Sequence, residues 1–139
     1  SRYMKDWVYR IIKKNRLLNL DKKNSIGIIG ATYKENTNSM KNSPFLELVK
    51  KINKLNKIFV FEPKIKINFK KRNVIQINNL NEFFSKKKLI VFLRPFGNIK
   101  IFEPYLRIIK NKIVIDPYGV LKEKSIIKEI KKYYTLGTI

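Results

Sequence analysis

Residues Ser25–Pro44, SIGIIGATYKENTNSMKNSP, decide the fold of this 139-residue chain. The stretch opens with a run of apolar and small residues, SIGIIGA, that is typical of a strand covered on both faces. A polar loop containing Lys34 and Thr37 follows. Ser43-Pro44 then supplies an N-cap and a first helical residue. The order strand, loop, helix predicts the first part of a βαβ unit.

The rest of the chain continues the alternation. An apolar stripe from Phe45 to Leu55 predicts a helix, and KIFVFEP (57–63) predicts a second parallel strand. Further strands are predicted at 74–77, 88–95 and 111–117, and helical segments at 2–18, 79–87, 98–110 and 121–133. Residues 64–73 are either a basic surface loop or a short edge strand. This pattern predicts an α/β fold, a three-layer αβα sandwich with a mainly parallel sheet.

The composition argues against catalysis by this chain alone. It contains no cysteine and no histidine, and its ten acidic residues are scattered. These absences exclude a disulfide framework, a thiolate zinc site and the commonest general base. We therefore assign no catalytic residue and no metal site.

The net charge of +22 is the most extreme compositional feature. A basic excess is typical of proteins that bind nucleic acid, anionic membranes or phosphate-bearing ligands. Lysines are spread along the whole chain, however, and only six of the 32 basic residues are arginine. Compositional drift toward lysine, asparagine and isoleucine explains this pattern better than a functional basic surface does. No run approaches the length of a membrane span, and the N-terminus lacks the apolar region of a signal peptide.

A ligand site is expected at the carboxyl ends of the parallel strands. Three segments meet there: ATYKENT after the first strand, RPFGN after the fourth and DPYG after the fifth. The GIIG pair of glycines is not a dinucleotide fingerprint and indicates close packing of strand against helix. Lys34 either contacts an anionic ligand or is solvated, and Tyr33 either lines the site or belongs to the core.

The motif GIIGATYKENTNSMKNSP, with VFEP about fifteen residues later, resembles the C-terminal domain of the UDP-glucose/GDP-mannose dehydrogenase family. That family's pattern runs roughly G-L-A-F-K-x-N-T-D-D-x-R-E-S-P, then v-y-D-P. The likeness continues through NLNEFFSKKKLIVFLRPFGNI, IVIDPYGVL and YYTLGTI, so it covers nearly the whole chain. It implies a Rossmann-like nucleotide-sugar-binding domain over residues 21–139, preceded by the end of an inter-domain connector helix over residues 1–20.

The resemblance also implies a function. Enzymes of this family oxidise the C6 hydroxyl of a nucleotide-linked hexose to a carboxylate with two NAD, which an N-terminal Rossmann domain holds. This chain, lacking the family's cysteine, would be a part of such an enzyme that binds the nucleotide sugar, a UDP-sugar rather than GDP-mannose. The implied partners are the N-terminal domain and a second subunit in a homodimer, in the cytoplasm and without a membrane. Two alternatives stay open: a basic nucleic-acid-binding α/β module, and a non-catalytic dehydrogenase remnant used for interaction.

Four residues carry the family's binding positions. Tyr33 and Lys34 fall where the family contacts the substrate. Tyr118 falls at the arginine of the family's D-G-R segment, also a substrate-binding position. Lys41 falls where a family arginine approaches NAD, and a lysine there keeps the charge but loses the planar fork.

Overall fold

The computed structural model describes residues 2–19, 23–32, 40–52, 54–68, 73–85, 87–122 and 125–136. The strands are β1 (Ser25–Ile29), β2 (Lys57–Phe61), β3 (Val74–Gln76), β4 (Leu89–Phe92), β5 (Ile113–Ile115) and β6 (Lys132–Tyr134). The α-helices are α1 (Arg2–Lys14), α2 (Pro44–Lys51), α3 (Leu80–Phe84) and α4 (Leu106–Ile109). Two 3₁₀ helices span Ile99–Tyr105 and Ser125–Glu129.

The six strands form one sheet in the order β3-β2-β1-β4-β5-β6, and every pair is parallel. The predicted α/β class with a Rossmann-like parallel sheet is confirmed. The chain runs outward from β1 to β3 in one direction and from β4 to β6 in the other. In such sheets a crevice opens at the carboxyl ends where the two halves diverge, here between β1 and β4.

Two hydrophobic cores cover the two faces of the sheet. On one face, Val8 and Ile12 of α1 and Phe45 and Leu48 of α2 pack against the strands. On the other, Phe83 and Phe84 of α3 pack with residues of the 3₁₀ helices and α4. The two sets give the predicted three layers.

Successive residues of β1 divide between the cores because side chains alternate across a strand. Ile26 and Ile28 enter the first core, and Ile29 enters the second. Gly27 lies on the same face as Ile29. A Cβ on it would lie 2.8 Å from Cδ1 of Ile90 and 3.0 Å from Cζ of Phe83. The predicted packing role of this glycine is confirmed.

Three details differ from the sequence prediction. Helix α1 ends at Lys14 rather than near Leu18. Helix α2 ends at Lys51, so Leu55 is 52% exposed instead of continuing its apolar stripe. Residues Lys132–Tyr134 form strand β6 beside β5, whereas the sequence pattern predicts a helix that ends at Tyr133. Within the described part of the chain, no helix is both long enough and apolar enough to cross a membrane.

Candidate functional site at the carboxyl edge of the sheet

The residue that follows β2, Glu62, is the centre of a buried polar network at this edge. Its side chain is fully buried. Oε1 accepts hydrogen bonds from the amides of Ala31 (2.8 Å) and Thr32 (3.2 Å), which follow β1. Oε2 accepts from the amide of Lys64 at 3.1 Å. One carboxylate therefore joins the chain segments that leave two neighbouring strands.

Arg94, which follows β4, closes the network from the other side. Its Nε lies 2.8 Å from Oε1 of Glu62 and its Nη2 lies 2.8 Å from Oε2, so the pair is bidentate. Nη1 donates to the carbonyl of Pro95 at 2.9 Å, and the guanidinium lies 3.7 Å from the ring centroid of Phe96. The Arg94 side chain is 1% exposed. Every nitrogen of the guanidinium group therefore donates to an acceptor within the protein.

The ionisation of Glu62 follows from these contacts. Burial acts to raise its pKa, but the hydrogen bonds from Arg94 and from the Ala31 and Lys64 amides, with the Arg94 charge, lower the pKa to about 2. The carboxylate is thus ionised at neutral pH. A buried ion pair of this kind needs good geometry and filled hydrogen-bonding sites to offset its desolvation, and both are present here.

Gly30 leaves the space that Arg94 fills. Its φ is +106°, which L side chains rarely adopt. A Cβ built there would lie 2.5 Å from Cγ and 3.1 Å from the backbone nitrogen of Arg94. The Arg94 side chain therefore fills the space that a side chain at position 30 would need.

A second buried carboxylate, Asp116, follows β5. Oδ1 accepts from the amide of Val120 at 2.8 Å, and Oδ2 accepts from the amide of Leu121 at 2.9 Å. The hydroxyl of Tyr133, from β6, donates to Oδ2 at 2.5 Å. Burial raises the pKa of Asp116 despite these hydrogen bonds, and burial together with the Asp116 charge raises the pKa of Tyr133. Asp116 thus fixes the turn that contains Tyr118.

A known family shares this sequence pattern. Residues 27–123 match the model of the UDP binding domain of the UDP-glucose/GDP-mannose dehydrogenase family. This match covers well over half of the chain and spans β1 to β5. The chain belongs to this family. No curated protein matched the chain significantly.

Solved structures agree with the fold of a UDP-glucose/GDP-mannose dehydrogenase domain. The native structure of the UDP-N-acetyl-mannosamine dehydrogenase Cap5O from Staphylococcus aureus matches with a TM-score of 0.66 and 17% identity, over 96% of this chain and 31% of that one. A derivative structure of the same enzyme matches with a TM-score of 0.61 and 16% identity, over 96% and 30%. The chain thus spans about a third of the length of these relatives.

The four predicted site residues of this family domain fall in two groups. Tyr33 and Lys34 lie outside the described residues. Lys41 is exposed in the turn before α2, where Ser43 caps the helix by accepting from the amide of Leu46 at 3.3 Å. Tyr118 is half-buried in the turn after β5 and packs against the second core.

The segments that begin with Arg94 and Asp116 were predicted to lie at this edge, but no role was predicted for either residue, and Glu62 was not placed in the site. A signal for them was present: each follows a run of buried strand residues and precedes a proline, at Glu62-Pro63, Arg94-Pro95 and Asp116-Pro117. Charged side chains are seldom buried unless they are paired, so three charges at three strand ends predict pairing there. Among the described residues, no group of three or more potential histidine, cysteine or carboxylate metal ligands occurs.

Proposed function

We propose that the chain is the nucleotide-sugar-binding domain of an NAD-dependent nucleotide-sugar 6-dehydrogenase, which oxidises the C6 hydroxyl of a hexose to a carboxylate. The match of residues 27–123 to a UDP binding domain carries this proposal. Within it, residues 21–139 form the binding domain and residues 1–20 the end of the connector helix. The reaction itself requires residues outside this chain, because the chain lacks the cysteine on which the family's chemistry depends.

Tyr33, Lys34 and Tyr118 are proposed to contact the nucleotide sugar. Tyr33 and Lys34 come soon after β1 in the sequence, and the turn after β5 carries Tyr118. Strands β1 and β5 are separated by β4 alone, so their ends lie roughly 10 Å apart. This separation suits a ligand that extends from a diphosphate to a sugar. The Lys34 ammonium would meet the pyrophosphate charge, and the Tyr118 hydroxyl would replace an arginine with one neutral hydrogen-bonding group.

The glycine pattern of a dinucleotide site, G-x-G-x-x-G, is absent from the first strand, where Gly27 and Gly30 stand in GIIG. NAD, which accepts hydride in this chemistry, would be held mainly by an N-terminal Rossmann domain. The exposed Lys41 is proposed to approach that cofactor from this side. The full-length enzyme is proposed to form a homodimer and to act in the cytoplasm.

Titration of the 139-residue chain by heteronuclear NMR tests this function. The ligands are UDP, UDP-glucose, UDP-N-acetylhexosamine, GDP-mannose and a short single-stranded DNA, each at low and moderate salt. Saturable shifts at Tyr33, Lys34 and Tyr118 with a UDP-sugar, surviving moderate salt, are expected. Lys34→Gln should weaken this binding, whereas Lys88→Gln, the same charge change at an exposed position at the other end of the sheet, should not.

Diffuse shifts with every polyanion, vanishing as salt is added, would instead indicate binding by net charge alone and favour the nucleic-acid alternative. No shift with any ligand would contradict nucleotide-sugar binding by this chain and leave the interaction role of a dehydrogenase remnant.

A further inference from the structure

Lysine stands at the start of four of the six strands. Lys57 and Lys132 are the first residues of β2 and β6, and Lys88 and Lys112 directly precede β4 and β5. The starts of parallel strands all lie along one edge of a sheet. These lysines therefore share the amino edge, opposite the carboxyl edge with its buried carboxylates.

A cavity of about 370 Å³ lies at the amino edge, beside the second core. Small-molecule sites in proteins typically measure about 300–1,000 Å³. Three lysines line this cavity together with one aromatic and two polar residues: Lys23, Lys57, Lys87, Phe59, Asn24 and Ser25. The described residues of its wall include no carboxylate, so the cavity suits an anion.

Lys87 distinguishes this cluster from a solvated basic surface. It is only 5% exposed. Its Nζ lies 4.1 Å from the ring centroid of Phe59 and donates to the carbonyl of Glu82 at 3.2 Å. Compositional drift explains lysines in solvent, but a lysine is seldom buried so deeply unless its charge is paired. An anion in the adjoining cavity would pair with this charge.

A second buried lysine adds to the positive charge beside the cavity. Lys112 is 9% exposed, and its Nζ donates to the backbone carbonyl of Lys87 at 2.7 Å. Burial, and after it the Lys87 charge, lowers the pKa of Lys112. A bound anion would offset the repulsion between the two ammonium groups, whereas an apolar or cationic ligand would not.

We propose that this cavity binds the diphosphate group of a small anionic ligand. A phosphate monoester carries a charge of about −1.5 to −2 at neutral pH, so two phosphate groups match the three lysines of the cavity wall. The exposed Lys23 and Lys57 would meet the ligand from the solvent side and Lys87 from the protein side. A nucleic-acid strand would instead need a groove that follows its backbone.

This site does not depend on the proposed function. Ser25 begins β1 at the amino edge, and Thr32 follows the same strand at the carboxyl edge. At about 3.3 Å per residue, the two edges are roughly 20 Å apart. One nucleotide sugar at the carboxyl edge would therefore leave the amino-edge cavity unfilled.

Titration of sodium pyrophosphate into the 139-residue chain, followed by heteronuclear NMR at about 0.15 M sodium chloride, tests the proposal. Saturable shifts are expected at Asn24, Ser25 and Phe59. Lys57→Gln should weaken pyrophosphate binding about threefold, since its ammonium is exposed and screened. Lys50→Gln is the matched control. It makes the same charge change at an exposed position of α2, on the other face of the sheet, and should leave the affinity unchanged.

Lys87→Met removes the buried ammonium but keeps the apolar stem, and it should weaken pyrophosphate binding about tenfold or more. If this variant does not fold, the comparison of Lys57→Gln with Lys50→Gln decides alone. Equal weakening by those two variants, or shifts spread over the whole chain, would mean binding by net charge and overturn the proposal.

Two further ligands test the chemistry of the cavity. Sodium sulfate that binds as tightly as pyrophosphate would overturn the preference for a diphosphate. Tighter binding of a short single-stranded DNA at Asn24, Ser25 and Phe59 would replace the small ligand with nucleic acid. Shifts at Tyr118 report the carboxyl edge, so a failure of nucleotide-sugar binding there is recognised separately from a failure at the amino edge.

Discussion

A Cβ atom on Gly30 would lie 2.5 Å from Cγ of Arg94, so the glycine after β1 and the arginine after β4 restrict each other's side chain. A side chain at position 30 would collide with Arg94, because the arginine already fills that space. Through Arg94 this restriction extends to Glu62, with which the arginine is paired. A substitution at any one of these three residues should therefore disturb the packing or pairing of the other two.

Gly30→Ala is expected to destabilise the domain by about 2–4 kcal/mol, from a positive φ and from the displacement of a packed side chain. Gly119→Ala is the matched control. Gly119 also has a positive φ, +65°, but its added Cβ would meet only the flexible side chain of Lys122, at 3.0 Å. Chemical denaturation of both variants measures the difference. Equal losses of unfolding free energy in the two variants would mean that the contact with Arg94 contributes nothing.

The Glu62–Arg94 pair is expected to make stability depend on pH in the acid range. The pKa of Glu62 is about 2 in the folded chain against an ordinary value of 4.5. A lowered carboxyl pKa contributes stability that is fully present above the ordinary value and is lost as the pH falls toward the folded one. The difference in pKa corresponds to about 3 kcal/mol.

Urea unfolding of the unaltered chain and of Glu62→Gln at several pH values from neutrality down to about 2 measures this contribution. The introduced glutamine does not titrate, so the gap between the two unfolding free energies should narrow by about 3 kcal/mol as the pH falls through the acid range. A gap that stays constant over that range would show that Glu62 is not the titrating group.

Tyr133→Phe is expected to raise the pKa of Asp116 further. The Tyr133 hydroxyl donates to Oδ2 of this carboxylate, and that hydrogen bond acts to lower the carboxyl pKa. Its loss should also cost about 1.5–3 kcal/mol, as hydrogen bonds to charged groups do. NMR titration of the Asp116 carboxyl carbon measures the change in its pKa directly. Tyr134→Phe is the control, since Tyr134 follows on the same strand and packs in the other core; the same pKa change there would contradict the assignment.

Asp116 makes stability depend on pH in the opposite direction from Glu62. Burial raises the pKa of Asp116, so the ionised form is disfavoured in the folded chain. Its contribution to stability therefore becomes more favourable as the pH falls through the raised pKa to the ordinary value of 3.8. The two carboxyls should separate in an acid titration, Asp116 protonating first.

Added salt is expected to raise the unfolding temperature of this chain. Its net charge is +22, and two of its ten acidic residues, Glu62 and Asp116, are buried and do not offset surface lysines. Screening shortens the reach of repulsion between exposed charges from about 30 Å at about 0.01 M salt to about 8 Å at about 0.15 M. Calorimetry at these two concentrations of sodium chloride measures the shift. A lower unfolding temperature at higher salt would show that attractive surface pairs outweigh the repulsion.

Local patterns were enough to predict most of the fold. The buried runs of β1, β2, β4 and β5 are each read from a few consecutive apolar residues, and their alternation with helices leads to the parallel sheet. Strand β6 was not predicted because Lys132–Tyr134 lies at the sheet edge and is only half-covered, so it carries no apolar run. Leu55 was misplaced because periodicity does not show where a helix ends, and Ile52 already has an extended backbone.

The position of the site at the sheet edge could be predicted from the sequence, but the pairs of residues that interact there could not. Parallel topology alone brings the segments after β1, β4 and β5 to one edge. Which charges meet there depends on contacts between residues far apart in sequence, such as Glu62 with Arg94, 32 positions away. Those contacts depend on register and burial, which no short motif encodes. Tyr33 and Lys34 lie outside the described residues, so their roles stay predictions.

The two outer strands, β3 and β6, are three residues long each, and their outer edges lack a described strand partner. An open strand edge can recruit a second copy of the chain and begin aggregation. Here the edges are too short to offer a long ladder. Lys131 and Lys132 are exposed at β6, and the sequence KKR lies just before β3. Abundant lysine, whatever its origin in the gene, thus also has a protective consequence: like charge keeps the open sides of the sheet apart in a concentrated solution.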